Sequence, residues 1–108
     1  MSYDVDLVIK NALGENFTVV EVGNYTTNVA PMWKKALGYP LRDLHKRRAG
    51  DVVDEIAAAV AVMVCEPEQF REMNPDNGCG DNVGAMQYLV RLYEGCRRWP
   101  DATIHVST

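Results

Sequence analysis

The residues best suited to chemistry lie in NPDNGCGDNVGA, residues 74–85, where Asp76, Asn77, Cys79 and Asp81 alternate with Gly78, Gly80 and Gly84. Cys79 stands between two glycines just ahead of helical sequence, where a helix dipole lowers the pKa of a thiol. Asp76 and Asp81 act against that effect. The only histidines, His45 and His105, are remote in sequence, so nothing ties a general base to the thiol. A calcium loop needs glycine at its sixth position and glutamate at its twelfth. Counted from Asn74 those positions hold Cys79 and Ala85, and counted from Asp76 they hold Asp81 and Gln87, so both registers fail. A dinucleotide cradle follows a strand, whereas this loop follows helical sequence and its glycines are spaced one residue too widely. Two readings stay open: a turn in which Asp81 caps the next helix, or a recognition loop.

A second candidate is the basic run Lys34, Lys35, Arg42, His45, Lys46, Arg47 and Arg48. Six of the chain's eleven Lys and Arg residues fall here, opposed by Asp43 alone. On a protein of net charge −4 such a patch suits an acidic protein surface or phosphate groups; it is equally the composition of a solvated loop. A third is GNYTTNVAPMW, residues 23–33. Asn24 and Asn28, with Trp33 behind them, read either as turn and cap chemistry or as one wall of a polar pocket completed by Asp76, Asn77 and Asp81. Both segments precede helices, whose free N–H groups favour an anionic or carbonyl-bearing ligand. No catalytic residue, metal site or cofactor is assigned. The two serines are Ser2 and Ser107, and neither Cys-x-x-Cys nor His-x-x-x-His spacing occurs.

These segments need elements to hold them. The 108 residues, 47% apolar and 24% charged, suit a single α+β domain spanning residues 1–108. Cys65, Cys79 and Cys96 form no disulfide framework, and MSYDVDLVIK lacks the pattern of a signal peptide. The apolar run Ile56–Val64 is nine residues long, against the roughly 20 that a membrane span requires. The expectation is a soluble cytoplasmic protein with reduced thiols.

Val5, Leu7 and Ile9 alternate with polar neighbours as in a strand, and NALGEN followed by FTVVEVGNYT completes a hairpin. ATIHVS, residues 102–107, reads as a third strand. The expected fold is therefore a small antiparallel sheet, made of the N-terminal hairpin and the C-terminal strand, packed on three main helices. Asn28 is the expected cap of the first helix, with Pro31 in its first turn and Gly38 at its end. The second is expected to start from Asp51 and to be buried centrally, because Val52–Val64 is apolar nearly all round. Glu66–Pro67 breaks it, and PEQFREM makes a short extra turn. The last runs from Asp81 to Trp99 with Met86, Leu89, Val90, Tyr93 and Cys96 inward.

Residues NYTTNVAPMW and NPDNGCGDNVGA, the leucine-bearing helix ending in cysteine and the closing DATIHVS together resemble a group of small proteins encoded by bacteriophages and prophages. The resemblance runs from residue 24 onward. It implies a phage accessory protein acting inside a bacterium and carries over no catalytic residue. The group has aromatic residues where this chain has Cys79 and Asn82, so the loop's usual ligand does not transfer directly. The leading expectation is a non-enzymatic protein that binds a bacterial host or defence protein through the basic segment and exposed polar loops. The alternatives are a small-ligand pocket or minor enzyme built from the 24–28 and 74–81 loops, and nucleic-acid binding through residues 34–48. Homodimerisation is also expected as an option, because a three-stranded sheet has edges to cover.

Overall fold

The computed structural model describes residues 1–108. β1 (Ser2–Lys10) and β2 (Asn16–Thr26) form the hairpin, and β3 (Thr103–Ser107) pairs antiparallel with the other side of β1, giving the order β2-β1-β3. The hairpin turn is held by Asn11, whose Oδ1 accepts the N–H groups of Leu13 and Glu15 at 2.9 Å each. Tyr3, Val5 and Leu7 point into the core, and Ile9 is half-buried at its edge. β2 carries two residues that β1 does not oppose. Val22 is extra opposite the Val5–Asp6 step, and Val19 is extra opposite Leu7–Val8. Each such bulge bends the strand and raises its twist.

Four helices lie on the inner side of the sheet: α1 (Ala30–Leu37), α2 (Ala49–Cys65), the short α3 (Pro67–Arg71) and α4 (Asn82–Arg98). α4 lies against β1 and β2, and α2 packs along α4 and α1. Gly95 allows the close approach of α4. A Cβ there would stand 2.9 Å from Leu7 Cδ1 and 3.3 Å from Val20 Cγ1.

Several local expectations need correction. Asn28 does not cap α1. A 3₁₀ turn, Thr27–Val29, precedes that helix, and Thr26 Oγ1 accepts the Asn28 N–H at 3.3 Å, so the cap lies two residues earlier. Pro31 and Gly38 (φ 89°) do occupy the two ends of α1. α2 starts at Ala49 rather than from Asp51. Its first N–H groups are met from afar: Ala49 donates to the Ala102 carbonyl and Gly50 to that of Pro100, both at 2.8 Å. Asp51 sits in the first turn, paired with Arg48.

Nor is α2 buried on all sides. Ala49, Val52, Ile56, Ala59 and Met63 are enclosed, Val60 is half-buried, and Val64 is 56% exposed. The sheet has only three strands and α4 occupies its inner face, so nothing lies beyond α2's outer side. The inward stripe of α4 is likewise centred on Ala85, Tyr88, Leu89, Leu92 and Cys96, with Met86, Val90 and Tyr93 at its margin.

Four aromatic rings fasten the end of the sheet to α1 and α4. Trp33 is fully enclosed, with ring centroids 5.6 Å from Tyr3, 6.2 Å from Tyr25 and 5.3 Å from Tyr88. Its indole N–H donates to the Ala85 carbonyl at 3.0 Å, and the Tyr88 hydroxyl donates to that of Gly23 at 2.8 Å. Burial, followed by the charge of Asp4, raises the Tyr88 pKa.

The free side of β3 is covered by residues 45–49. The Lys46 N–H donates to the Ile104 carbonyl (2.7 Å), the Ile104 N–H to Arg47 (2.9 Å), and Arg48 forms a bridge with Thr103. His45 Nδ1 accepts the Val106 N–H at 2.9 Å. This strap is anchored from below by Leu41 and Leu44, both buried in the 3₁₀ turn Leu41–Leu44. No helix is long and apolar enough to cross a membrane.

Candidate functional site

The 74–85 loop is built by its own polar side chains. Asn77 Oδ1 accepts the Cys79 N–H at 2.9 Å, and Asn74 Oδ1 accepts that of Asn82 at 2.8 Å. Asp81 Oδ1 accepts from Gly84 at 2.7 Å, which makes it the N-cap of α4. Gly78 (φ 73°) and Gly80 (φ 90°) take the left-handed conformations the loop requires. The loop does meet the 24–28 segment. A Cβ on Gly80 would lie 2.5 Å from Thr26 Cγ2 and 3.0 Å from Val29 Cγ1, and the Asp81 N–H donates to the Tyr25 hydroxyl at 3.2 Å. The meeting is a packed contact. Asn24, Asn28, Asp76, Asn77 and Asp81 are exposed around it, and none lines either of the two main clefts. Trp33 lies in the core and offers no surface to a ligand.

Cys79 is exposed, and its loop packs on Tyr25, Thr26 and Val29. His45 and His105 lie together at β3, ring centroids 5.6 Å apart and nearly perpendicular. Cys65 is exposed too, while burial raises the pKa of the Cys96 thiol to about 12. No group of three or more His, Cys, Asp or Glu side chains is gathered as for a metal ion.

The basic run is exposed throughout, yet its charges are divided. Arg48 bridges Asp51 at 3.1 Å and Asp101 at 2.6 Å, and these hydrogen bonds, Asp101 first, raise its pKa. Arg47 lies 3.6 Å from Glu55, which also accepts the Tyr39 hydroxyl at 3.0 Å. Burial, and then that bond, pushes the Tyr39 pKa to about 12. The Lys35 ammonium lies 5.5 Å from the centre of the Phe70 ring. Lys34, Arg42 and Lys46 make no ion pair.

Those three free cations border two clefts. Lys34 and Arg42 flank an open depression of about 410 Å³ whose floor is Tyr3, Ala30, Pro31, Pro40 and Leu41. Lys46 borders a larger one, about 870 Å³, on the outer face of the sheet. Its other residues come from β1, β2, β3 and the turn after α4: Val8, Ile9, Lys10, Asn16, Trp99, Asp101, Thr103 and His105. Of this cleft only Lys46 was legible in the sequence. Its residues come from separate stretches, each of which reads as ordinary strand or turn. The floor of the smaller cleft was equally hidden, because Tyr3 joins Pro31 and Pro40 only through the fold.

Comparison of the chain with protein families, curated proteins and solved structures finds no match.

Proposed function

We propose that this is a non-catalytic binding protein that grips an acidic protein partner at the cleft between Lys34 and Arg42. One observation carries the reading: two cations without internal partners flank an apolar floor that includes Tyr3, Pro31 and Leu41. An apolar anchor seated on such a floor, with carboxylates meeting the flanking cations, is the composition of an interface hot spot. Rigidity supports it as well. Leu41 is enclosed beside Arg42, and Trp33 is enclosed beside Lys34, so both cations project from backbone that is already ordered. Little backbone entropy is then left to lose on binding, and the cost that remains is that of ordering the two side chains. The likeness of residues 24–33 and 74–85 to phage-encoded proteins supports a bacterial host protein as the partner.

The test uses the full chain as bait in a bacterial lysate, beside a Lys34→Glu/Arg42→Glu double variant and an Arg47→Glu/Arg48→Glu one. The first variant is expected to lose the partners that wild type retains, and the wild-type complex should weaken as salt is raised. An identical set of partners for wild type and the Lys34/Arg42 variant would overturn the reading. The second variant separates the two halves of the basic run. Its arginines are engaged inside the chain, so it should keep the partner wherever it stays folded.

A further inference from the structure

The larger cleft was assigned no role by the sequence, and it has the make-up of a ligand site. Val8, on the outer face, gives it an aliphatic floor, Ile9 lines its border from the core edge, and the half-buried Trp99 ring, at the end of α4, forms a wall. Lys10 and Lys46 border it, and neither makes a salt bridge. Asn16, Thr103 and His105 add polar side chains that hydrogen-bond to nothing in the chain. The one carboxylate in the lining, Asp101, is held at 2.6 Å by Arg48, which offsets its charge. Two other acids adjoin the lining residues: Asp6 stands opposite His105 in the β1–β3 register, and Glu15 immediately precedes Asn16. The volume falls in the range of small-molecule sites, ~300–1,000 Å³.

A second observation is independent of the lining. Lys46 is the only non-glycine residue with positive φ, at 69°, and its N–H is locked to the Ile104 carbonyl at 2.7 Å. A lysine in the left-handed region is uncommon, and such strain gathers where a side chain must be aimed at a ligand. Here it fixes the base of one of the two ammonium groups.

We propose that this cleft binds a nucleoside monophosphate, with the base stacked on Trp99 and the phosphate held between Lys10 and Lys46. Stacking of a base on an aromatic side chain contributes substantially and tolerates any base, since each presents a π face. Two ammonium groups supply the charge-assisted hydrogen bonds that a phosphate takes. Asn16, Thr103 and His105 remain for the sugar and the edge of the base. The same chemistry is presented by a free nucleotide and by the phosphorylated end of a strand.

The experiment is a calorimetric titration of the full chain with AMP, adenosine, inorganic phosphate and 5′-phosphorylated tetra-adenylate, with amide shifts followed by NMR. AMP is expected to bind saturably and at least ten-fold more tightly than adenosine or phosphate, with shifts centred on residues 8–10, 46 and 99–105. Trp99→Leu and Lys10→Ala/Lys46→Gly should each weaken AMP at least ten-fold while their circular dichroism stays that of wild type. Arg71→Ala, on α3 and in neither cleft, should leave it unchanged. Comparable affinity for AMP and the tetranucleotide assigns a free nucleotide, and much tighter tetranucleotide binding assigns a strand end. Absence of saturable binding at millimolar AMP, phosphate binding as tightly as AMP, or shifts confined to other residues would each overturn the proposal. A folded Lys10/Lys46 variant that titrates like wild type would do the same.

Discussion

Lys46→Gly is expected to make the protein more stable while removing a side chain. At φ 69° the lysine Cβ crowds the following carbonyl, a cost of ~1–2 kcal/mol that glycine does not bear. Glycine gives back ~0.5–1 kcal/mol through the greater freedom of its unfolded chain. The difference of the midpoints is a gain of about 0.75 kcal/mol, because the 2.7 Å bond from residue 46 to Ile104 involves the backbone alone and survives the change. Lys46→Ala is the reference, since it removes the same charge and keeps the Cβ; it should unfold close to wild type. For a chain of this length the gap between the two variants corresponds to a Tm difference of about 2–5 °C, readable by circular dichroism and checked by urea midpoints. A glycine variant no more stable than the alanine variant would refute the reasoning. It would mean that residue 46 is not held in the left-handed region and that the strap does not fix the direction of its side chain.

Asp81→Ala removes the cap bond to Gly84 and should cost about 1 kcal/mol in urea denaturation, whereas Asp81→Asn keeps most of it. Gly95→Ala sets a gain of ~1 kcal/mol in helix propensity against overpacking of Leu7 and Val20 that costs ~1–3 kcal/mol. A net loss is expected, and a stabilised variant would show that α4 sits further from the sheet. A thiol reagent at pH 8 should titrate Cys65 and Cys79 at once and Cys96 only after unfolding. Burial raises the Cys96 pKa from 9.0 to about 12, so the folded state favours the protonated thiol. Its contribution is therefore complete below pH 9 and is lost as pH climbs from about 9 to 12; Cys96→Ala should lessen that fall and leave the part above pH 10 that Tyr39 and Tyr88, also raised by burial, contribute.

Elements whose ends are written locally were legible in the sequence. The alternation of Val5 and Leu7, the NALGEN turn and the Asp81 cap all act within a few residues, and each stands where the sequence placed it. What escaped depends on distant groups. α2 looks as though it needs a side-chain cap because its start carries none, but the carbonyls of Pro100 and Ala102 serve its first N–H groups. A long apolar stretch does not reveal how many neighbours it will have, so α2 reads as central although one of its sides meets no other element. The basic run illustrates the same limit at the candidate site. Adjacent cations look alike in sequence, and only the fold sends Arg47 and Arg48 to internal carboxylates and leaves Lys34, Arg42 and Lys46 free. Trp99 and His105 gave no signal because their partners in the cleft lie at the opposite end of the chain.

Residues 45–49 close one border of the sheet and leave β2 as its single unpaired margin. A molecule with one such margin has one valence for strand addition. Two copies joined there about a two-fold axis would saturate each other, and no third could attach by the same means. Growth into fibres through edge pairing is thereby barred by the very segment that carries the positive charge, so loosening that segment would create a second valence and turn a self-limiting association into an open-ended one.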